Sequence, residues 1–301
     1  MKQIICIGEL SLDIVLDESG NTLGDMPGGR IANAAMILGR GGAKVLMASE
    51  AATDIPGDLV VGQLEAAGVD LRSVDRPTEQ RTPIHIMIMQ GGRLTRYEDY
   101  PEQAFDIIWP RIEEGDIIVF GGYYALDKRM RGRMSKLLAN AAERKAVMVY
   151  LPGYLPELEP RITRVMPEIL ENLEMADIVV SRTSDLAQIF GDSAAADSYR
   201  DHVSFYCRSL VNIDPAGRLE YFGGNECSAV AVDADACGSL LWQAGALAGL
   251  LKVLYAGNYA AGDFEAPAET VRTAILDGAA ASATASHASA TAPWQLIPAL
   301  A

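Results

Sequence analysis

The sequence predicts an α/β protein: a mostly parallel sheet covered by helices on both faces, with a second, smaller β-sheet. Two observations point to the large sheet. Short β-branched runs alternate with helix-length segments from end to end of the 301 residues, and several of those runs are continuously apolar, as strands buried on both faces are. A third observation points to the small sheet. Two segments break the alternation with a period near two and a glycine turn, the pattern of hairpins.

Taken in order, QIICIGE (3–9) reads as a first core strand and SLDIVLDESGNTL (11–23) as the first hairpin segment. IANAAMILGRGG (31–42) is a helix closed by glycine, and KVLMASEA (44–51) the next strand. IPGDLVVGQLEAAGV (55–69) is a helix with proline near its start and glycine at its stop. In TPIHIMIMQGGRLTRYEDY (82–100) polar residues alternate with Ile and Met, so this hairpin should have one covered and one wet face. GDIIVFGG (115–122) is a buried strand, DKRMRGRMSKLLANAAERK (127–145) a basic-faced helix, and AVMVYLP (146–152) and MADIVVSR (175–182) are strands. SFYCRSLVNID (204–214) and GRLEYFGG (217–224) suit an antiparallel pair. The chain is mainly helical from Ala266 onward. Its Ala-rich stretch 279–293 reads as a packed terminal helix because alanine is the strongest helix former. No repeat or linker divides the chain, so one domain spanning 1–301 is expected. Residues 11–26 and 81–101 would form a lid over the ends of the main strands, where ligands bind in open α/β folds.

Half of the residues are hydrophobic, enough for a sizeable core. The net charge of −15 would repel a nucleic-acid backbone or an anionic membrane surface, which argues against both as partners. Cys6, Cys207, Cys227 and Cys237 are scattered with no CxxC pair, as for buried thiols in a reducing compartment. MKQIICIGEL is too short an apolar run for a signal peptide, and the apolar run Leu240–Leu254 is shorter than the roughly 20 residues of a membrane span. A cytoplasmic location is expected. His85, His202 and His287 have no neighbouring ligand at metal-binding spacing in the sequence. Arg81, Arg93 and Arg96 flank the second hairpin and suit either an anion grip or a charge-defended strand edge.

The chemistry concentrates near the N-terminus. IGELSLD places Asp13 just after the first strand, and PGGRIANAA brings Gly28, Gly29 and Asn33 to the start of a helix. Paired glycines let a ligand approach the backbone, while Asp13 and Asn33 supply hydrogen-bonding groups for hydroxyls. Together they suit a polyol, while a Gly-Gly before a helix on its own is also ordinary turn chemistry.

These segments, with GGRIANAAMILGRGGAKVLMASEAATDIPGDLVVGQLEAAGVDLRSV, TPIHIMIMQGGRLTRYEDYP and MADIVVSRTSDLAQIFG, fall in the order and spacing of the ribokinase-like (PfkB-type) sugar kinases, which the chain resembles over nearly its whole length. The resemblance implies a three-layer α/β/α sandwich with a β lid, often paired into a dimer through that lid. It also implies transfer of the γ-phosphoryl group of ATP to a sugar hydroxyl with Mg²⁺, with Asp13, Gly28, Gly29 and Asn33 at the sugar-contacting positions.

The second half departs from the family wherever phosphate is handled. The family's G-A-G-D turn, an anion hole followed by the catalytic base, aligns with Ala236, Cys237, Gly238 and Ser239, so a serine stands at the base position. Loss of a positioned base costs on the order of 10²- to 10⁴-fold in rate. The N-x-x-E motif aligns with Ser181–Ser184, and D-P-N with Leu151, Pro152 and Gly153; a T-x-G turn is not found near residues 204–212. These losses put the use of ATP and Mg²⁺ in doubt and predict a sugar-binding pseudokinase. The alternative is an active kinase with a substitute base, Asp235 or Asp233. The amides of Cys237 and Gly238 could still face an anion, since that needs no side chain.

Overall fold

Side chains along the first strand point alternately to two apolar layers. In β1 (Ile4–Ile7), Ile4 and Cys6 join one core cluster while Ile5 and Ile7 join the other, and all four are fully buried. The computed structural model describes residues 2–90, 93–103, 106–192, 194–237 and 240–288. After β1 come β2 (Ser11–Leu16), β3 (Thr22–Gly28), α1 (Arg30–Arg40), β4 (Val45–Glu50), α2 (Ile55–Ala66), β5 (Asp70–Asp75), β6 (Ile84–Gln90), β7 (Arg93–Glu98) and β8 (Ile117–Gly121). The second half holds α3 (Lys128–Glu143), β9 (Val147–Leu151), α4 (Met166–Met175), β10 (Ile178–Arg182), α5 (Thr183–Phe190), α6 (Ala195–Asp201) and β11 (Ser209–Ile213). It closes with β12 (Arg218–Gly223), β13 (Glu226–Ala231), α7 (Ala234–Cys237), α8 (Trp242–Ala256) and α9 (Glu269–Ala288).

The large sheet has the order β13-β12-β11-β10-β9-β8-β1-β4-β5. It is parallel from β11 to β5, and β12 and β13 run antiparallel at one end. One face carries α1, α2, α8 and α9, and the other carries α3 to α6, giving the three layers that the alternation predicts. The antiparallel pair expected from residues 204–224 is present as β11 and β12. β5 and β13, which the apolar pattern does not signal, are its two edges.

The small sheet has the order β3-β2-β6-β7, so among the described residues it draws only on those four strands. Its two hairpins are joined by a parallel pairing of β2 with β6 that sets Asp13 beside His85. The terminal helix α9 follows the Ala-rich prediction as far as Ala288; residues 289–293 of that segment lie outside the described residues. Cys6 and Cys207 are buried as expected, but Cys227 is exposed because it sits on the edge strand β13, and Cys237 is half-buried. Among the described residues, no helix is long and apolar enough to cross a membrane.

Candidate functional site

The parallel strands β1, β4, β8, β9 and β10 all deliver their C-terminal ends to one side of the sheet, and segments that follow them carry the polar side chains of the candidate site. The glycine pair shapes one wall. A Cβ on Gly28 would stand 1.9 Å from Ser11 Oγ and 2.1 Å from Asp13 Oδ1, and one on Gly29, where φ is +97°, would stand 2.6 Å from the Glu9 carbonyl oxygen. Both glycines are therefore required by the approach of β3 to β2 and of α1 to the end of β1.

Asp13 is 5% exposed and accepts a hydrogen bond from Ser11 Oγ at 2.8 Å. The same carboxylate oxygen lies 3.2 Å from His85 Nδ1. His85 is thus not isolated, as its sequence context suggested; the register of β2 against β6 brings it to Asp13 and Ser11 across 72 residues of chain (85 − 13). Asn33, in the first turn of α1, is 7% exposed, and its Oδ1 has no protein partner. His85 Nε2 and Glu9 Oε2 are also buried without a partner.

Glu9 follows β1 and fills space that Gly122 leaves open, since a Cβ there would stand 2.2 Å from Glu9 Oε2. Burial raises its pKa; a hydrogen bond from its own backbone amide, and then Arg30 and His85, oppose that rise, and Glu98 adds to it. An aromatic row borders the same space: His85 to Tyr100 at 5.4 Å between ring centroids, Tyr100 to Tyr123 at 5.8 Å, and Tyr123 to Tyr124 at 5.3 Å. The Tyr100 hydroxyl donates to the Glu98 carboxylate. Burial, with that carboxylate beside it, raises the Tyr100 pKa.

The other end is built differently. Asp185 is 3% exposed and receives Arg30 Nη1 at 2.7 Å and Arg182 Nε at 3.1 Å to each carboxylate oxygen. Burial alone would raise its pKa, but the two guanidinium groups outweigh burial and hold it below the ordinary carboxylate value. Arg30 also donates to the Pro152 carbonyl at 3.1 Å, which ties α1 to the end of β9. Ser184 is exposed, and Ser181 is buried with its Oγ unpartnered. The carboxylate of this segment therefore stands at Asp185, one residue beyond the aligned motif, and is held by arginines. Among the described residues, no group of three or more His, Cys, Asp and Glu side chains is arranged to hold a metal ion.

The Cys237 amide donates to the Asp233 carbonyl at 3.2 Å within the one-turn helix α7. Ala236 is buried, Asp235 falls inside α7 with its side chain outside the described residues, and Gly238 and Ser239 lie outside them altogether. Immediately after this turn, Leu241 is buried against Val15, Met26 and Met87 of the small sheet, with Leu240 packed alongside. The sequence marks Leu240 as the start of an apolar run but gives no sign of these partners. Segment 204–212 forms a short turn and most of β11, with Asp214 beyond it accepting from Thr183 Oγ1 at 3.1 Å. Arg81 is exposed, Arg96 lies 3.6 Å from Glu98, and the side chain of Arg93 is outside the described residues.

A three-layer sandwich with a small sheet beside its strand ends is the architecture of the ribokinase-like kinases. A model of the pfkB family of carbohydrate kinases matches residues 1–203, and the chain belongs to that family. A Pyrococcus horikoshii protein that carries a sugar-kinase name is 25% identical over 188 residues, 58% of this chain and 60% of its own length. "Probable fructokinase-4" of Arabidopsis thaliana is 22% identical over 207 residues, 64% of each chain. The match thus spans less than two thirds of these curated relatives. The structure of Salmonella enterica aminoimidazole riboside kinase, solved with aminoimidazole riboside and an ATP analog, has the same fold. It aligns at a TM-score of 0.79 and 15% identity, covering 99% of this chain and 97% of that one.

Proposed function

We propose that this carbohydrate-kinase family member binds a sugar or related polyol between the strand ends and the small sheet, and that it is impaired in phosphoryl transfer. One observation carries the reading: the apolar contact of Leu240 and Leu241 with Val15, Met26 and Met87, which occupies the junction between the small sheet and the turn where the family places its anion hole and base. A triphosphate needs open, donor-rich space at that point. Buried Leu, Val and Met offer it no hydrogen bonds, and desolvating phosphate against them is costly.

Two further features support the same reading. Asp185, the buried carboxylate nearest the family's metal-linked motif, is paired with Arg30 and Arg182 and is not free to hold a divalent cation. The donor set at this end therefore does not fit Mg²⁺. The Cys237 amide is engaged within α7, which removes one candidate donor to an anion. At the opposite end, Asp13, Asn33, Glu9 and His85 keep polar atoms for hydroxyl groups, three of them without protein partners. The small sheet would then act as a lid whose closure reports occupancy, or as part of an assembly.

The test is thermal unfolding of the purified protein with a panel of sugars, polyols and nucleosides, with and without ATP and Mg²⁺, alongside an ADP-release assay. A ligand that prefers the native state raises the melting temperature. The expected result is stabilisation by at least one polyol, none by ATP with Mg²⁺, and no polyol-dependent ADP release. Polyol-dependent ADP release that Asp235→Asn abolishes would sink the proposal.

A further inference from the structure

The polyol end of the cleft is rich in acceptors and short of free donors. Glu9 Oε2, Asn33 Oδ1 and His85 Nε2 are each buried and make no hydrogen bond within the protein. Glu9 Oε2 and Asn33 Oδ1 are acceptors and call for a donor from the ligand, and His85 Nε2 does the same when the ring is neutral with its Nδ1 proton turned toward Asp13.

Carboxylates outnumber the cations around these atoms, and the arginines present, Arg30 and Arg96, face Asp185 and Glu98. Carboxylates of Glu9, Asp13, Glu50 and Glu98 gather here, and Arg30, the guanidinium whose field reaches Glu9, is paired with Asp185. Asp13 is engaged by Ser11 and faces His85, and Glu98 accepts from Tyr100. Glu9 is left with an oxygen that nothing in the protein satisfies. The rings of Tyr100 and Tyr123 line the same space, and aromatic faces attract cations.

A neutral hydroxyl brings one donor, a phosphate or carboxylate brings negative charge, and a protonated amine brings three donors with a positive charge. We infer that the site prefers a polyol bearing a protonated amine, such as an amino-deoxy sugar, over its neutral or anionic counterpart, and that Glu9 is the residue that reads the amine. The inference rests on the polyol-binding reading and narrows its substrate class. Burial raises the pKa of the Glu9 carboxyl although its own backbone amide bonds it, and an ammonium group beside the unpartnered Oε2 would relieve that penalty.

The experiment is isothermal titration calorimetry of the full chain at neutral pH with matched ligands. They are D-glucose, 2-amino-2-deoxy-D-glucose, its N-acetyl derivative and D-glucose 6-phosphate, together with D-fructose and 1-amino-1-deoxy-D-fructose. At least one amine should bind roughly tenfold more tightly than its neutral parent, the gain of one charge-assisted hydrogen bond. N-acetylation should remove the gain. Glu9→Gln should bring the amine down to within about twofold of the neutral parent's affinity for the unaltered protein. Should Glu9→Gln fail to fold, the amine and N-acetyl pair on the unaltered protein still decides. If a neutral or phosphorylated member binds as tightly as the amine, or if Glu9→Gln leaves the preference intact, the inference is wrong while polyol binding stands. If no member binds, both fall.

Discussion

The contact between the small sheet and the segment after residue 239 can be measured directly by a double-mutant cycle on Leu241 and Met87. Leu241 is 6% exposed and Met87 1%, and they share a cluster with Val15 at 0% and Met26 at 6%. Truncating a buried Leu or Met to Ala costs about 2 to 5 kcal/mol. Because this cluster is small and lies between two elements that can close on the gap, about 2 to 3 kcal/mol is expected for each single change. The second truncation removes contacts already lost in the first, so the double variant should fall short of the sum by about 1 kcal/mol. Urea unfolding at constant temperature gives the four free energies, and an unchanged m-value guards against a change in the compactness of either state. If the two costs add to within about 0.3 to 0.5 kcal/mol, the residues do not pack together in solution. The junction would then be open to a phosphate, and the main support for impaired transfer would be gone.

Two further predictions concern stability. In α8, a Cβ on Gly249 would stand 2.1 Å from the Gly278 carbonyl oxygen of α9, a backbone atom that cannot step aside. Gly249→Ala should therefore destabilise the protein by about 2 kcal/mol or more, although alanine favours a helix interior over glycine by about 1 kcal/mol; a neutral or stabilising result in urea unfolding would refute the close helix contact. The second concerns Asp177, which precedes β10 at the opposite end of the sheet beside a hollow of about 280 Å³. Burial pushes its pKa up to about 6, against a hydrogen bond from the Met148 amide at 2.7 Å and with Glu265 adding to the rise. A raised carboxyl pKa contributes stability that is present below the unfolded value and lost as pH rises through the folded one. Asp177→Asn should accordingly stabilise the protein above pH 6 by about 1 kcal/mol, allowing for partial exposure, and give no gain near pH 4. Melting curves across that range check the sign, and a gain confined to the acid side would contradict it.

The parts of the fold legible in the sequence are those where burial leaves a periodic trace. β1, β8 and β9 are buried along their whole length and read as apolar runs, while α1 and α2 are marked by their glycine and proline ends. β5 (DLRSVD) and β13 (ECSAVA) left no comparable signal because each is an edge of the large sheet, with one side unpaired and most or all of its residues in contact with water. The same logic governs the cleft. Asp13, Gly28, Gly29 and Asn33 were nameable because they lie on two short segments with a recognisable pattern. Glu9 sat in view within IGELSLD, yet nothing local marks a carboxylate as buried.

By itself, the sequence determined the alternation that builds three layers, the two hairpins of the small sheet, and the absence of a carboxylate at residue 239. Only the tertiary structure decided which distant groups meet. His85 reaches Asp13 through a parallel strand pairing, Arg30 and Arg182 close on Asp185 from two elements, and Leu241 packs beneath the small sheet. Periodicity records how each residue divides its time between water and core, a local property of one segment. The pairing of segments far apart in the chain depends on register and packing, and neither leaves a trace in any short stretch of sequence.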